Sequence, residues 1–404
     1  MKNQLTTLLV CLFLAFQVSA QQASQWRGPN GNGVYEAPDM LPSWPADGPN
    51  VLWSFDGLGE GFSSPAFANG KIYCSGMIDG IGYVFVLDQQ GKEITRMKYG
   101  NEFTSSYPGA RSTPTVVGDL VYMLSGNGIL VCMDANTGAT KWSKNLFKDF
   151  DGKNITWGIT ESVVVDGDVV FCSPGGKTNN VVALNRFNGD LIWSCKGLGE
   201  LSAYCTPLLV KLPDRKILVN MMADHIIGVD AATGKLLWSE SQTNRWSVHA
   251  NTPIYANNGL FCFSGYGQGG VKLKLSDDGS TISKAWRASS FDSRIGGAVF
   301  LDGYLYGSGD ADRSWQCLDF VTGKQKYSST ETGKGAIIAA GGKLICYSER
   351  GELALVDANP NAFNVISKTR VNLGSGQHWA HPVVHNGILY VRHGNTLIAY
   401  KISA

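Results

Sequence analysis

Nine residues that could do chemistry recur at one kind of place in the chain, shortly before or at the start of a short apolar segment that often opens with Ser-Pro or Thr-Pro. They are Arg111, Trp157, Glu161, Tyr204, His249, Arg294, His378, Trp379 and His381. Paired arginines can clamp carboxylates or phosphates through charge-assisted hydrogen bonds, and Glu, His and Tyr can hold or pass a proton. With two tryptophans added, the set reads as a polar pocket with aromatic walls, the usual make-up of a small-molecule site. Its members span about 270 residues, so no local motif holds them together. They form one site only in a fold that gathers equivalent loops. Phe62 with Ser63, and Lys334, hold the corresponding places elsewhere in the chain. The competing expectation for Arg111 and Glu161 is a structural ion pair between neighbouring units.

Other motifs add little. There is no phosphate-binding P-loop, no Gly-x-Ser-x-Gly elbow and no HExxH. The run Gly265-Tyr266-Gly267-Gln268-Gly269-Gly270 is not followed by a helical pattern, and Asp310-Ala311-Asp312 and Asp277-Asp278-Gly279 lack the spaced oxygens of a calcium loop. No metal site is expected. Cys195 and Cys205 are the closest cysteine pair and no CxxC occurs; the other cysteines past Cys11 sit in apolar strand patterns and read as free, buried thiols.

The elements that must position the nine residues are repeats. Three near copies of Asp/Asn-x-x-(Thr/Asn)-Gly-x-x-x-Trp run from Asp134 to Trp142, Asn185 to Trp193 and Asp230 to Trp238. Weaker versions start near Asp88, Leu275, Asp319 and Asp357, and Leu397 to Tyr400 begins an eighth as the sequence ends. Each reads as a hairpin: an apolar strand, a turn whose Gly takes positive φ, and a strand returning with a buried aromatic. Trp142, Trp193 and Trp238 are therefore packing residues. A second series, Ser64-Pro65 through Asn69-Gly70 and its echoes at Thr113, Ser162, Thr206, Thr252, Gly297, Ile337 and His381, supplies two further strands per unit. A spacing of roughly 39 to 49 residues is that of a four-stranded propeller blade.

The eighth unit lacks its last strand, while Asn50 to Phe55 reads as a strand without partners. The expected fold is all-β, an eight-bladed β-propeller whose last blade is closed three-plus-one by that N-terminal strand, removing an exposed edge. Loops entering the innermost strands then converge on one mouth of the channel, where the nine residues would meet. His385 and His393, inside the last unit's strands, are expected to face solvent or a neighbour.

Composition agrees with a folded repeat protein: 404 residues, 44% hydrophobic, 17% charged, with 49 Gly and 11 Trp. Net charge is +1, and near zero without Lys2, which gives no electrostatic basis for nucleic-acid binding. Residues 1–20 read as a secretory signal peptide, with an apolar run from Leu8 to Phe16 and Val18-Ser19-Ala20 before Gln21. Cys11 lacks the small preceding residue of a lipid-attachment site, and no later segment is long and apolar enough to form a transmembrane helix. The expected organisation is a signal at 1–20, a leader at 21–49 packing on the propeller, and the propeller at 50–404, in a monomer that is periplasmic or secreted.

The hairpin repeats, together with Gln25-Trp26-Arg27-Gly28-Pro29-Asn30-Gly31-Asn32-Gly33, resemble the pyrroloquinoline-quinone-like (PQQ-like) repeat propellers over residues 23–402. That family includes quinoprotein dehydrogenases and outer-membrane protein assembly factor B. The resemblance implies two alternatives, and the residue types of the mouth add a third. One is an envelope scaffold that binds a protein or glycan partner. Another is an oxidoreductase for sugars or alcohols, with PQQ stacked in the channel mouth, calcium on Glu, Asn and Asp oxygens, and an Asp base; here the adjacent cysteine pair of the alcohol dehydrogenases is missing, and no mouth Asp accompanies Glu161. The remaining one is a polysaccharide lyase or hydrolase using His, Tyr and Arg of the mouth.

Overall fold

A computed structural model describes residues 23–404; the expected signal peptide lies outside the described residues. Eight sheets form the eight blades of an all-β propeller. Blades 1 to 7 comprise residues 66–101, 115–145, 164–195, 208–241, 254–288, 298–329 and 335–370, each a set of four antiparallel strands in chain order. Blade 8 takes three strands from 383–401, and Asn50–Phe55 pairs antiparallel with Thr396–Lys401 as its outer strand. The one helix among the described residues, Leu146–Asp149, is a single turn capped by Asn145.

The repeat explains how the ring is held. Asp134 Oδ1 accepts from the amides of Asn136 and Thr137, both at 3.0 Å, which fixes the turn; Asp230 and Asp319 do the same in their own blades. These amides hold the Asp134 carboxyl down at about 2. Each repeated Trp then reaches the next blade: Trp142 Nε1 donates to Arg186 O, Trp193 to Ala231 O and Trp238 to Gly279 O, at 2.9 to 3.2 Å. Trp53 on the closing strand does the same to Gln89 O at 2.9 Å. The turn glycine of the next blade, such as Gly189 under Trp142 or Gly234 under Trp193, leaves room for the ring where a Cβ would overlap it. The core is accordingly a circle of blade-to-blade interfaces, one of which joins Tyr73, Val84 and Val86 of blade 1 to Val121, Val131 and Met133 of blade 2. Cys74, Cys132, Cys172, Cys195, Cys205, Cys262, Cys317 and Cys346 are all buried and free.

The leader does more than pack on the ring. Residues 23–35 run through its interior: Ser24 bridges to Val116 on the inner strand of blade 2, and Val34–Tyr35 adds a fifth, parallel strand to blade 7. Between these anchors Arg27 is buried with no carboxylate beside it. Its guanidinium donates to Ala298 O at 2.5 Å, to Ile337 O at 3.5 Å and to His381 Nδ1 at 2.8 Å, joining blades 6, 7 and 8. A Cβ at Gly297, which sits at φ +70, would overlap Arg27 and the His381 ring, so this glycine admits the leader.

Candidate functional site

The leader divides the interior in two, with Trp26 lining both chambers. One chamber, about 580 Å³, lies among leader residues 29–32 and the inner strands of blades 3, 4 and 5. The other, about 410 Å³, is the funnel formed by the loops that enter the inner strands around the ring, from Phe62 before blade 1 to Trp379 and His381 before blade 8.

Two aromatic groups stand in the funnel. Trp379 lies 5.2 Å from Phe62 and 4.9 Å from Tyr107 between ring centroids, on the side of blades 8, 1 and 2. Trp157 lies 6.0 Å from Tyr204 and 6.2 Å from Trp246, on the side of blades 3 to 5. Tyr266 and Trp26 complete the aromatic lining. Three of the funnel tyrosines, Tyr107, Tyr204 and Tyr266, have φ of +48, +73 and +61. A bulky side chain in the left-handed region is an outlier that costs on the order of 1 kcal/mol or more, and such residues concentrate at ligand sites. Tyr204 is held there by Thr160 Oγ1, which donates to its carbonyl at 2.6 Å.

Of the residues singled out in the sequence, Arg111, Trp157, Tyr204, Arg294, Trp379 and His381 share this funnel. Glu161, His249 and His378 do not line it. Thr160 and Ser162 face the cavity while Glu161 turns into the protein beside Cys172, its Oε2 accepting from Ser173 N at 3.0 Å and its Oε1 unpartnered. Burial pushes its carboxyl up to about 8, so it is protonated at neutral pH. No ion pair joins it to Arg111. His249 is fully buried with Nε2 on Ala223 O, and desolvation lowers it to about 4. His378 stacks on His393 at 3.7 Å and bonds Tyr347 Oη at 2.5 Å, behind the wall.

His381 lines the funnel, but both ring nitrogens are committed. Arg27 donates to Nδ1, so Nε2 carries the proton and donates to Ile295 O at 2.7 Å. Burial, reinforced by the Arg27 charge, drops its pKa to about 3 and keeps the ring neutral. It locks the leader in place and has no free nitrogen for proton transfer.

The two funnel arginines stand four blades apart, on opposite sides of the ring, and differ in their surroundings. Arg294 belongs to a balanced cluster: it lies 3.5 Å from Glu349 and 3.9 Å from Asp310, both of which also pair with Lys334. Arg111 donates to the carbonyls of Gly109, Ser106 and Tyr107 at 2.6 to 2.9 Å, with its guanidinium 4.7 Å from the Phe103 centroid. Among the described residues no carboxylate forms a salt bridge with it.

These residues do not fit a calcium-bound quinone. No Asp or Glu lines the funnel, Glu161 is turned away from it, and the described residues contain no group of three or more acidic, His or Cys side chains placed to hold a metal ion. Sequence reasoning missed Trp26, Tyr107, Trp246 and Tyr266. Tyr107 and Trp246 precede Arg111 and His249 in the same entry loops and were legible there as loop aromatics; Trp26 arrives from the leader, outside the repeat.

Eight four-stranded blades tied by the Trp hairpin define a PQQ-like repeat propeller. The chain belongs to the family described as outer membrane protein assembly factor BamB, whose model matches residues 80–325. A curated relative, the assembly factor BamB of Kangiella koreensis, is 22% identical over 201 residues, half of this chain and 45% of its own length, so the match spans less than half of that protein. Among solved structures, BamB from Moraxella catarrhalis superposes with a TM-score of 0.62 at 14% identity, over 87% of this chain and 99% of its own. A europium-containing methanol dehydrogenase reaches 0.66 at 15% identity, over 92% and 90%. At such identities these structures share the fold. Among the described residues no helix is long and apolar enough to cross a membrane.

Proposed function

We propose that the chain is an exported binding propeller of the cell envelope whose funnel holds a ring-bearing ligand, either free or displayed on a protein or glycan partner. The carrying observation is the trio of funnel tyrosines at positive φ. Strain of this kind persists only where the surroundings enforce it, and here all three rings face one cavity of ligand size. A binding role also suits the chemistry: His381 has no free nitrogen, while Glu161 and His249 face away from the funnel. The relatives named as outer-membrane assembly factors support placement in the envelope.

The test separates strain from packing. Tyr107 is half exposed, so Tyr107→Asn removes little burial and supplies a residue that tolerates this backbone. The variant should melt at or above the wild-type temperature yet lose the thermal shift given by a ring-bearing ligand. A variant that melts clearly lower would assign Tyr107 to packing and remove the main support for the site.

A further inference from the structure

Resting on the funnel as a ligand site, we infer that its ligand is an acidic saccharide chain whose carboxylate sits against Arg111. The charge argument comes from the two arginines. Arg111 and Arg294 are the charged residues lining the cavity among those described, and Arg294 is already neutralised by Asp310 and Glu349. Arg111 hydrogen-bonds only to backbone carbonyls and lies over aromatic faces; the carboxylate nearest to it, Glu102, makes no salt bridge with it and spends its oxygens on Tyr99 Oη and the amides of Phe103 and Gly126, while burial lowers the Arg111 pKa more than Glu102 raises it. A ligand carboxylate at blade 2 supplies the missing charge, whereas Arg294, whose Nε also lacks a hydrogen-bond partner, already has two carboxylates within 4 Å.

The saccharide argument comes from ring geometry. A single flat aromatic molecule is best held between parallel faces. Here the rings within each wall are inclined to one another, by 40° and 57° around Trp379 and by 48° and 72° around Trp157, so they offer several separate platforms. Successive sugar rings of a bent chain present C–H faces at such changing angles, and those faces match the negative face of an aromatic ring. The platforms continue outward beyond the enclosed volume, because Tyr107 and Trp246 are 47% and 51% exposed at the rim. Thr160, Ser162 and Thr206 line the cavity, although each hydroxyl already holds a backbone group: Thr160 the Tyr204 carbonyl, Ser162 the Thr113 amide and Thr206 the Ser162 amide.

The experiment measures binding of an oligogalacturonate of four to six residues, the same oligomer as its neutral methyl ester, and a planar aromatic carboxylate, by titration calorimetry on the whole protein. The acid should bind about 10- to 100-fold more tightly than the ester, the ratio expected of one charge-assisted bond. Arg111→Gln should bring that ratio close to one. Should Arg111→Gln fold poorly, added salt serves instead in the wild-type protein, weakening the acid and leaving the ester unchanged. Equal binding of acid and ester overturns the charge assignment while leaving the funnel a ligand site. Arg111-dependent binding of the aromatic carboxylate without the uronate chain overturns the saccharide assignment. If none of the three binds, the reading of the funnel as a ring-binding site fails with it.

Discussion

The interior of the ring is filled on one side and hollow on the other, although all eight blades are built from the same hairpins. On the side of blades 6 to 8, the leader occupies the space: Arg27 ties three blades together and Val34–Tyr35 extends blade 7. On the side of blades 3 to 5, the inner strands border a chamber of about 580 Å³ below Trp26, and aromatic rings border the funnel above it. The difference lies in the residues just before each inner strand. Gly297 at blade 6 makes room for the leader, whereas Thr160, Ser162 and Thr206 at blades 3 and 4 leave a cavity. Repeated residues build the ring, and the unrepeated ones at its entry loops decide whether the interior is structural or open.

Deleting Asn50–Phe55 attacks the filled side most severely, because it removes the outer strand of blade 8 and the Trp53 contact to blade 1. No cooperative melt should remain by calorimetry; an unchanged melting temperature would show that the ring does not need this strand. Arg27→Ala takes a donor from three carbonyls, of Asn32, Ala298 and Ile337, and from His381 Nδ1, and should cost about 3 kcal/mol or more in urea unfolding. Trp26→Ala, on the boundary with the hollow side, removes a half-buried ring and should cost less, about 1 to 2 kcal/mol, while joining the two chambers. Equal losses for these two variants would erase the contrast between the sides.

Glu161 offers a finer test within the hollow half. Its native pKa near 8 lies above the unfolded value of 4.5, so the native state holds a proton that the unfolded chain releases. Its contribution to stability is therefore complete below pH 4.5 and is lost as pH rises from 4.5 to 8, at about 1.4 kcal/mol for each pH unit within that window. Glu161→Gln should flatten that decline in a series of melts from pH 5 to 8; an identical slope in the variant would show the carboxyl to be ionised in the fold. The smallest effect concerns the thiols, which are buried on both sides alike. Native protein should take up no alkylating reagent within minutes, and unfolded protein should take up eight equivalents at the cysteines from Cys74 to Cys346.

The blades were legible in the sequence because each repeated residue acts locally or on the adjacent blade. Asp134 caps its own turn, and Trp142 reaches a carbonyl one blade on. The funnel was legible in part because position in an entry loop brings Arg111, Trp157, Tyr204, Arg294, Trp379 and His381 to one mouth. Side-chain direction was not legible: one position separates Glu161 from Thr160 and Ser162, yet only those neighbours face the cavity. Nor did the repeat announce Trp26 or Arg27. They reach the interior by a path through the lumen that no periodicity records, and the buried Arg27 finds its partner His381 354 residues away.

That distance sets an order of events in time. A ribosome releases the leader long before Thr396–Lys401, yet each needs the other: Arg27 waits for His381, and Asn50–Phe55 waits for Thr396–Lys401. Intermediate lengths of nascent chain can stack blades but cannot close the circle or seat the leader. Closure of the ring is thus a late event, since a polypeptide that has not yet reached Thr396–Lys401 leaves both Asn50–Phe55 and the edge at Ile388–His393 open to proteases and to other chains.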